Sequence, residues 1–241
     1  MDQRTDPRTD GRQADLHATL LAALGPAITG GEHPPGAVLR TDALAERFGV
    51  SRTAVREAVR VLESLRLVES RRRLGVRVRP REEWDVLAPQ VIRWRMAGAD
   101  RPRQLRSLTT LRSAIEPVAA GLAARLATPA QCAEVTALAM DMVATSRGGR
   151  LDAYLAHDIA FHRAVLRASG NEMFARLGDV VAEVLTARTR HGVMFPDPDP
   201  AAVTLHVRVA EAVRTGDAAG AERLTREITE GALRELDVLA P

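Results

Sequence analysis

Three side chains that can bind a metal fall on apolar helical stripes in the second half of this 241-residue chain. Asp158 and His162 are four residues apart on a stripe that otherwise holds mainly Leu and Val, so their side chains meet on one helix face. His206 lies on a second such stripe and Arg112 on a third. Because burying an unpaired charge costs several kcal/mol, these groups must meet each other, water, a metal or a ligand. The pattern predicts a polar chamber inside a helical bundle.

Two kinds of chemistry are compatible with such a chamber. A histidine on an apolar stripe is usually a core residue with satisfied hydrogen bonds, and an Asp–His pair is often an ordinary hydrogen bond. Alternatively, one carboxylate oxygen and two imidazole nitrogens suit Zn²⁺, Ni²⁺ or Mn²⁺ with open coordination positions. A catalytic zinc would make the protein a hydrolase, but no general base is evident beside the three residues. The spacing alone leaves these alternatives open.

Helices are expected to position these residues. The hydrophobic content of 46% supports a core, and the aromatic content of 3% favours packed helices over a β-sandwich. The predicted fold class is mainly α, with a winged helix-turn-helix over residues 14–80 and an all-α bundle over residues 81–241. The helical segments expected in the second part are 84–97, 102–126, 129–146, 150–168, 172–192, 200–215 and 217–239.

A helix-turn-helix is indicated by two short amphipathic segments joined by a glycine. The first begins near Thr41, Gly49 supplies the turn, and Ser51 caps the second segment, which runs to about Leu65. In such a motif, the start of the second helix enters the major groove of DNA. The motif therefore predicts that the segment after Ser51 faces nucleic acid.

Arginine recurs at every fourth position of that second helix, at residues 52, 56 and 60. A guanidinium group can bond a guanine edge or hold a phosphate. Two alternating runs, LVES and GVRVR, then flank a turn rich in arginine and predict a β-hairpin wing. Residues 40–81 hold 12 Arg against 5 acidic residues, whereas both flanks are slightly acidic. This charge distribution is typical of a nucleic-acid binder.

Further features of the sequence concern the compartment of the protein and the order of its first residues. Cys132 is the only cysteine, so no intrachain disulfide can form, and a reducing cytoplasm is expected. The sequence contains no apolar run long enough to span a bilayer. Residues 1–13 are polar and charged, and we expect them to form a disordered tail.

The stretch PPGAVLRTDALAERFGVSRTAVREAVRVLESLRLVESRRRLGVRVRP resembles the winged helix of the GntR family of bacterial transcription regulators. The resemblance covers most of residues 17–80, because the turn, both helices and the wing follow in order at the family's spacing. It implies that double-stranded operator DNA contacts Arg52, Thr53, Arg56 and Gly75. The neighbouring candidates for DNA contact are Ser51, Arg72 and Arg73. Several relatives carry another DNA-contacting arginine where this chain has Ala43, so the resemblance implies no operator sequence.

Residues 84–241 resemble the FCD ligand-binding domain of the FadR-like branch of that family, through LRSAIEP, HDIAFHRAVLRASGN and LHVRVAEAVRTGD. In many members this helical bundle binds a metal and a small carboxylate effector. The resemblance implies that Asp158, His162 and His206 are metal ligands, while the usual fourth histidine aligns with Ile228. Such a site would need water or the effector to complete its coordination shell. The candidate effector-binding residues are Arg112, Asn171 and Arg188.

These features together predict a homodimeric DNA-binding regulator, a repressor and not an enzyme, whose operator affinity is controlled by a small carboxylate. The stretches EEWDVLAPQVIRWR and IEPVAAGLAARLATPAQ are similar to galactonate-responsive repressors, so a sugar acid is the first candidate effector. The alternatives are a metal-dependent hydrolase with a DNA-binding module and a non-specific architectural DNA binder. An architectural binder would leave the polar chamber without a role.

Overall fold

The computed structural model describes residues 7–190 and 198–239, with side chains described for residues 18–190 and 198–236. The chain divides into two compact units, Met1–Arg101 and Pro102–Pro241. Both consist mainly of helices, which confirms the predicted fold class of a winged helix-turn-helix followed by an all-α bundle. Within the described residues, no helix has both the length and the apolar character needed to cross a membrane.

The first unit contains four α-helices, one short 3-10 helix (Arg81–Glu83) and a small sheet among its described residues. In chain order the α-helices and strands are α1 (Pro7–Thr29), β1 (Val38–Leu39), α2 (Thr41–Phe48), α3 (Arg52–Ser64), β2 (Val68–Arg71), β3 (Gly75–Val78) and α4 (Pro89–Ala97). Helix α1 begins inside the segment 1–13, which was expected to be a disordered tail, and residues 1–6 of that segment lie outside the described part of the chain.

The sheet of the first unit is antiparallel, with β3 in the middle and the strand order β1-β3-β2. The hairpin of β2 and β3 is the wing that the alternating sequence predicts. Strand β1 was not predicted, because two residues are too few to show an alternating pattern. Its pairing places Leu39 opposite Val76.

Helices α1 and α3 supply much of the first unit's core through fully buried leucines and valines, including Leu20, Val55 and Leu62. Trp84 and Trp94 join the same core, so the unit extends beyond residue 80, where the predicted winged helix ends. This packing is tight, because a Cβ added to Gly25 of α1 would overlap the indole ring of Trp94.

The second unit is a bundle in which Ala and Val dominate the buried positions. Its described helices are α5 (Arg101–Leu126), α6 (Pro129–Thr145), α7 (Leu151–Ala168), α8 (Glu172–Arg176), α9 (Gly178–Arg190), α10 (Pro200–Thr215) and α11 (Ala218–Leu239). These helices follow the predicted segments closely. The expected segment 172–192 differs, because the chain breaks it into α8 and α9 at Leu177.

Candidate functional site

Three potential metal-ligand atoms converge in the core of the second unit, one from each of Asp158, His162 and His206. The two residues on α7 and the one on α10 are each at most 5% exposed. Asp158 Oδ1 lies 3.3 Å from His162 Nε2 and 3.4 Å from His206 Nε2. The two Nε2 atoms are 3.3 Å apart. The three atoms therefore form a nearly equilateral triangle, as the predicted ligand set requires.

The outer nitrogen of each imidazole ring has a hydrogen-bond acceptor of its own. Nδ1 of His162 lies 2.7 Å from Oε2 of Glu116, and Nδ1 of His206 lies 2.7 Å from the carbonyl oxygen of Ala202. We assign the proton of each ring to Nδ1 from these partners, since Nδ1–H can then donate to an oxygen. The Nε2 lone pairs consequently face each other and Asp158, an arrangement that needs a cation or a proton between them.

The arrangement fits a metal ion. A tetrahedral ion with ligand bonds of about 2.0–2.2 Å separates its ligands by about 3.3–3.6 Å, and the triangle matches these separations. The buried Oδ1 of Asp158 also has no hydrogen-bond donor among the described residues apart from the two imidazole rings, a state that metal binding would relieve. The site offers three protein ligands, so one or more coordination positions would stay open for water or a ligand oxygen.

Glu116 belongs to the site, although the sequence pattern did not predict it. It is 2% exposed, and its carboxylate accepts hydrogen bonds from Nε and Nη2 of Arg112 at 2.5 and 3.3 Å as well as from His162. The Arg112 and His162 partners offset the effect of burial and lower the pKa of Glu116 to about 2. The i, i+4 spacing of Arg112 and Glu116 on α5 is the sequence pattern from which Glu116 could have been predicted.

The carboxylates determine the charge of His162. Burial alone would lower its pKa, but Glu116 and Asp158 outweigh burial and raise the pKa of His162 to about 9. Burial would likewise raise the pKa of Asp158, but His162 and His206 lower it overall. Without a metal, His162 is therefore a cation at neutral pH, and its proton occupies the place that a metal ion would take.

A cavity of about 330 Å³ opens beside the triangle and is lined by α7, α9, α10 and α11 residues together with Arg112. Arg112 is 1% exposed, and its Nη1 donates to no acceptor among the described residues. Arg188 also lines the cavity, with its Nη2 2.5 Å from Oε2 of Glu235. Ile228 forms part of the wall, and its carbon side chain cannot ligate a metal.

The structure does not bring the third candidate effector residue, Asn171, to this cavity. Its side chain accepts a hydrogen bond from the backbone N–H of Met173 at 2.9 Å and caps the start of α8. This capping bond occupies the side-chain oxygen. Asn171 is absent from the residues that line the cavity.

The candidate nucleic-acid interface of the first unit begins at the start of α3. Ser51 caps the helix, with its hydroxyl oxygen accepting from the backbone N–H of Ala54 at 3.1 Å. Arg52, Thr53 and Arg56 are all exposed. Arg52 forms an ion pair with Asp42 at 3.1 Å, but both side chains are mostly in solvent and the pair is easily exchanged. These residues are therefore accessible to a polyanion.

The wing places Arg72 and Arg73 in its exposed turn between β2 and β3. Gly75 follows with a φ of 111°, and an added Cβ would lie 2.8 Å from the carbonyl oxygen of Leu39 in β1. The glycine is thus required by the close approach of the neighbouring strand. This requirement is independent of any contact with DNA.

The folded domains and their residues define a class of protein, a DNA-binding transcription regulator with a second, all-helical unit. Residues 16–78 match the family described as bacterial regulatory proteins, gntR family, and residues 107–231 match the FCD domain. The chain therefore belongs to the GntR family of transcription regulators with an FCD domain, as the sequence predicts. These families and the relatives below are regulators, not enzymes.

Similar proteins span nearly the whole chain. The galactonate operon transcriptional repressor of Escherichia coli (strain K12) is 28% identical over 219 residues, covering 90% of this chain and 95% of the relative. The regulator LutR of Bacillus subtilis (strain 168) is 31% identical over 201 residues, 81% of this chain and 89% of the relative. The solved structure of E. coli McbR/YncC has the same fold, with a TM-score of 0.55, 20% identity and coverage of 94% of this chain and 99% of that one.

Proposed function

We propose that the protein is a repressor whose affinity for operator DNA is controlled by a small carboxylate bound beside a metal ion in the second unit. The observation that supports this best is the triangle of Asp158, His162 and His206 next to a buried arginine in a cavity. A buried cation with an unpaired N–H, close to a potential metal, is suited to an anionic oxygen ligand.

Asp158, His162 and His206 would hold a divalent metal, with Zn²⁺, Ni²⁺ and Mn²⁺ as the candidates. When bound, the metal supplies a Lewis-acidic cation with open positions for oxygen ligands. Glu116 positions the ring of His162, because it accepts the hydrogen bond from Nδ1 and thereby directs Nε2 inward. Arg112 borders the triangle, with its Nη2 3.3 Å from His162 Nε2.

The effector is a small carboxylate, with a sugar acid as the first candidate. The cavity volume of about 330 Å³ falls at the lower end of small-molecule sites and suits a compact ligand. Arg112 and Arg188 provide positive charge on its wall, although Asp199, Glu227 and Glu235 also line it. One relative is named for galactonate, which is consistent with a hydroxylated carboxylate as the ligand.

The first unit binds the operator through α3 and the wing. Arg52, Thr53 and Arg56 lie on the first turns of α3, where a recognition helix contacts base edges in the major groove. Arg72 and Arg73 in the wing add contacts to phosphates or to a neighbouring groove. A homodimer would present two such units to the half-sites of a near-palindromic operator.

The test of the proposed function uses the DNA upstream of the protein's own gene in fluorescence anisotropy titrations. Arg52→Ala combined with Arg56→Ala should weaken binding at least about tenfold, since each arginine–base pair contributes about 1–3 kcal/mol. Arg103→Ala combined with Arg223→Ala removes the same charge from exposed arginines of the second unit and should have little effect. Equal losses in both double variants would refute the interface.

The effector part of the proposal is tested by adding a panel of aldonic and aldaric acids with Zn²⁺, Ni²⁺ or Mn²⁺. An effector that differs by about 2–3 kcal/mol in its affinity for the two states would change operator binding about 30- to 150-fold. At least one acid should do so in the presence of a metal. If no acid changes operator binding with any of the metals, the effector assignment is wrong.

A further inference from the structure

One wall of the cavity contains an ion pair between α9 and α11. Nη2 of Arg188 lies 2.5 Å from Oε2 of Glu235, and both residues line the cavity beside the Asp–His–His triangle. The side chain of Arg188 is 11% exposed, whereas that of Glu235 is 42% exposed. The two partners therefore differ strongly in their contact with solvent.

Arg188 needs an anion at this position. It is a buried cation, and burial together with the nearby Arg112 lowers its pKa. Removing a guanidinium from water is costly unless a carboxylate pairs with it. Because Arg112 contributes a second positive charge, the cavity wall between the two arginines favours a negatively charged group.

Glu235 pairs with only part of the guanidinium group of Arg188. It accepts from one nitrogen of Arg188, while the buried Nε of Arg188 donates to no acceptor among the described residues. A guanidinium can form two parallel bonds to one carboxylate, through Nε and one Nη. A carboxylate that takes the place of Glu235 could accept from the Nε–Nη2 edge of Arg188 through both oxygens, whereas Glu235 accepts from Nη2 alone.

Moving the carboxylate of Glu235 away from Arg188 costs little free energy. Its half-exposed side chain can turn into solvent and be hydrated there, whereas Arg188 cannot move out of the core in the same way. When two carboxylates compete for this arginine, Glu235 is therefore the one that is displaced.

We propose that Arg188 forms a carboxylate-binding subsite of the cavity and that Glu235 occupies it as an internal, displaceable stand-in for the carboxylate of the effector. The inference rests on the proposed function, in that the same cavity receives the effector. Entry of the effector then breaks an ion pair that links α9 with α11. Glu235 thereby sets the concentration at which the protein responds.

The direct test is chemical rescue of Glu235→Ala by acetate, the smallest probe that carries the missing group and one methyl. Thermal unfolding is followed by circular dichroism at 222 nm, a wavelength that reports helix, with acetate and with chloride at equal ionic strength. Glu235→Ala should unfold at a lower temperature than the wild type, and acetate should restore most of the loss. The matched control is Glu230→Ala on the same helix, whose exposed carboxylate lies 4.0 Å from Arg234 and should show no rescue. Equal effects of acetate on both variants would refute the subsite.

A second measurement keeps the inference testable if Glu235→Ala does not fold. Glu235→Gln retains the size of the side chain and removes the competing charge, so it should bind an aldonic acid about fivefold more tightly in calorimetric titrations. Arg188→Gln should weaken that binding about tenfold or more, because a charge-assisted bidentate contact is lost. Unchanged affinity in both variants would overturn the inference while leaving the proposed function in place.

The two proposals can fail separately. If Glu235→Ala is rescued by acetate but the wild type binds no sugar acid, the subsite exists and the assignment of the effector is wrong. If the wild type binds a sugar acid and the Arg188 and Glu235 variants do not alter this binding, the effector occupies another part of the cavity.

Discussion

At the scale of single residues, the properties of the buried cluster follow from the protonation of its imidazoles. Glu116 accepts from Nδ1 of His162, and the carbonyl of Ala202 accepts from Nδ1 of His206, so both Nε2 atoms point to the same place. Such outer partners orient a metal-binding histidine and raise its affinity for metal. Two histidines, two carboxylates and one arginine thus form a preorganised site.

Replacing a histidine of the triangle should remove metal binding. His162→Ala is expected to weaken Zn²⁺ or Ni²⁺ binding by more than about 100-fold, because loss of a direct ligand exceeds the 10- to 100-fold loss typical of an outer partner. Metal content after gel filtration, followed by competition with a chelator, measures this. His157→Ala is the control, since His157 is on the same helix but lies outside the triangle. Equal metal content in both variants would contradict the assignment.

Metal affinity should also depend on pH. The raised pKa of His162, about 9, means that a proton must leave before metal can bind. Below that pH the apparent affinity should rise about tenfold for each pH unit, because one proton competes with one metal ion. Chelator competition between pH 6 and pH 8 measures the slope. A slope of zero would show that no proton leaves the site when the metal binds and would contradict the raised pKa of His162.

Metal affinity should rise with pH, but the stability of the metal-free protein should fall as the pH rises. A pKa that is raised in the folded state stabilises it most below the unfolded value of about 6.5. As the pH rises through about 9, His162 loses its proton and this contribution to the free energy of unfolding disappears. Thermal unfolding with a chelator present should therefore occur at lower temperature as the pH is raised from 7 to 9.5. In a parallel series without chelator, added metal should reduce this decline in unfolding temperature.

At the scale of elements, helical periodicity predicted most of the second unit. The apolar repeat located α5 to α7, α10 and α11 to within a few residues, and it placed Arg112, Asp158, His162 and His206 on inward faces. It could not separate α8 from α9, because the apolar pattern continues through Leu177. Nor did it find Glu116, because a buried ion pair within one helix resembles an exposed i, i+4 pair in sequence.

The first unit shows why close contacts between elements are harder to predict. Strand β1 exists through its pairing with β3, and the position of α4 depends on the fit of Trp94 against Gly25. Both are consequences of the assembled structure and leave no periodic signal in the sequence. The same holds for Gly75, which the resemblance assigns to DNA contact and for which the structure supplies a packing reason as well.

Gly75→Ala tests the packing reason. The left-handed φ of 111° and the clash with the Leu39 carbonyl should together destabilise the first unit by about 2–4 kcal/mol. Gly36→Ala is the control, because Gly36 has a φ of 85° but open space around it, and it should cost only about 1–2 kcal/mol. Urea unfolding followed by tryptophan fluorescence measures the effect, since both tryptophans are in the first unit. Weakened DNA binding with unchanged stability would instead favour direct contact.

At the scale of the whole molecule, the two units have different chemistry. The basic segment 40–81 lies in the first unit, and the buried polar cluster lies in the second. Their cores are separate clusters of apolar residues. Substitutions in separate cores without shared partners usually have independent effects. Operator affinity and effector affinity should therefore be separable by substitution, although under the proposed function the effector couples them in the intact protein.

His206→Ala should keep operator affinity within about twofold of the wild type, as expected for independent sites, but should abolish the response to the effector. Arg52→Ala combined with Arg56→Ala should do the converse, lowering operator affinity while leaving the calorimetric affinity for the effector unchanged. Anisotropy with operator DNA and calorimetry with the effector measure the four quantities on the same preparations. Circular dichroism of each variant checks that the helices are intact. If His206→Ala lowers operator affinity as much as the double arginine variant does, the second unit takes part in DNA binding even without effector, and the separation is wrong.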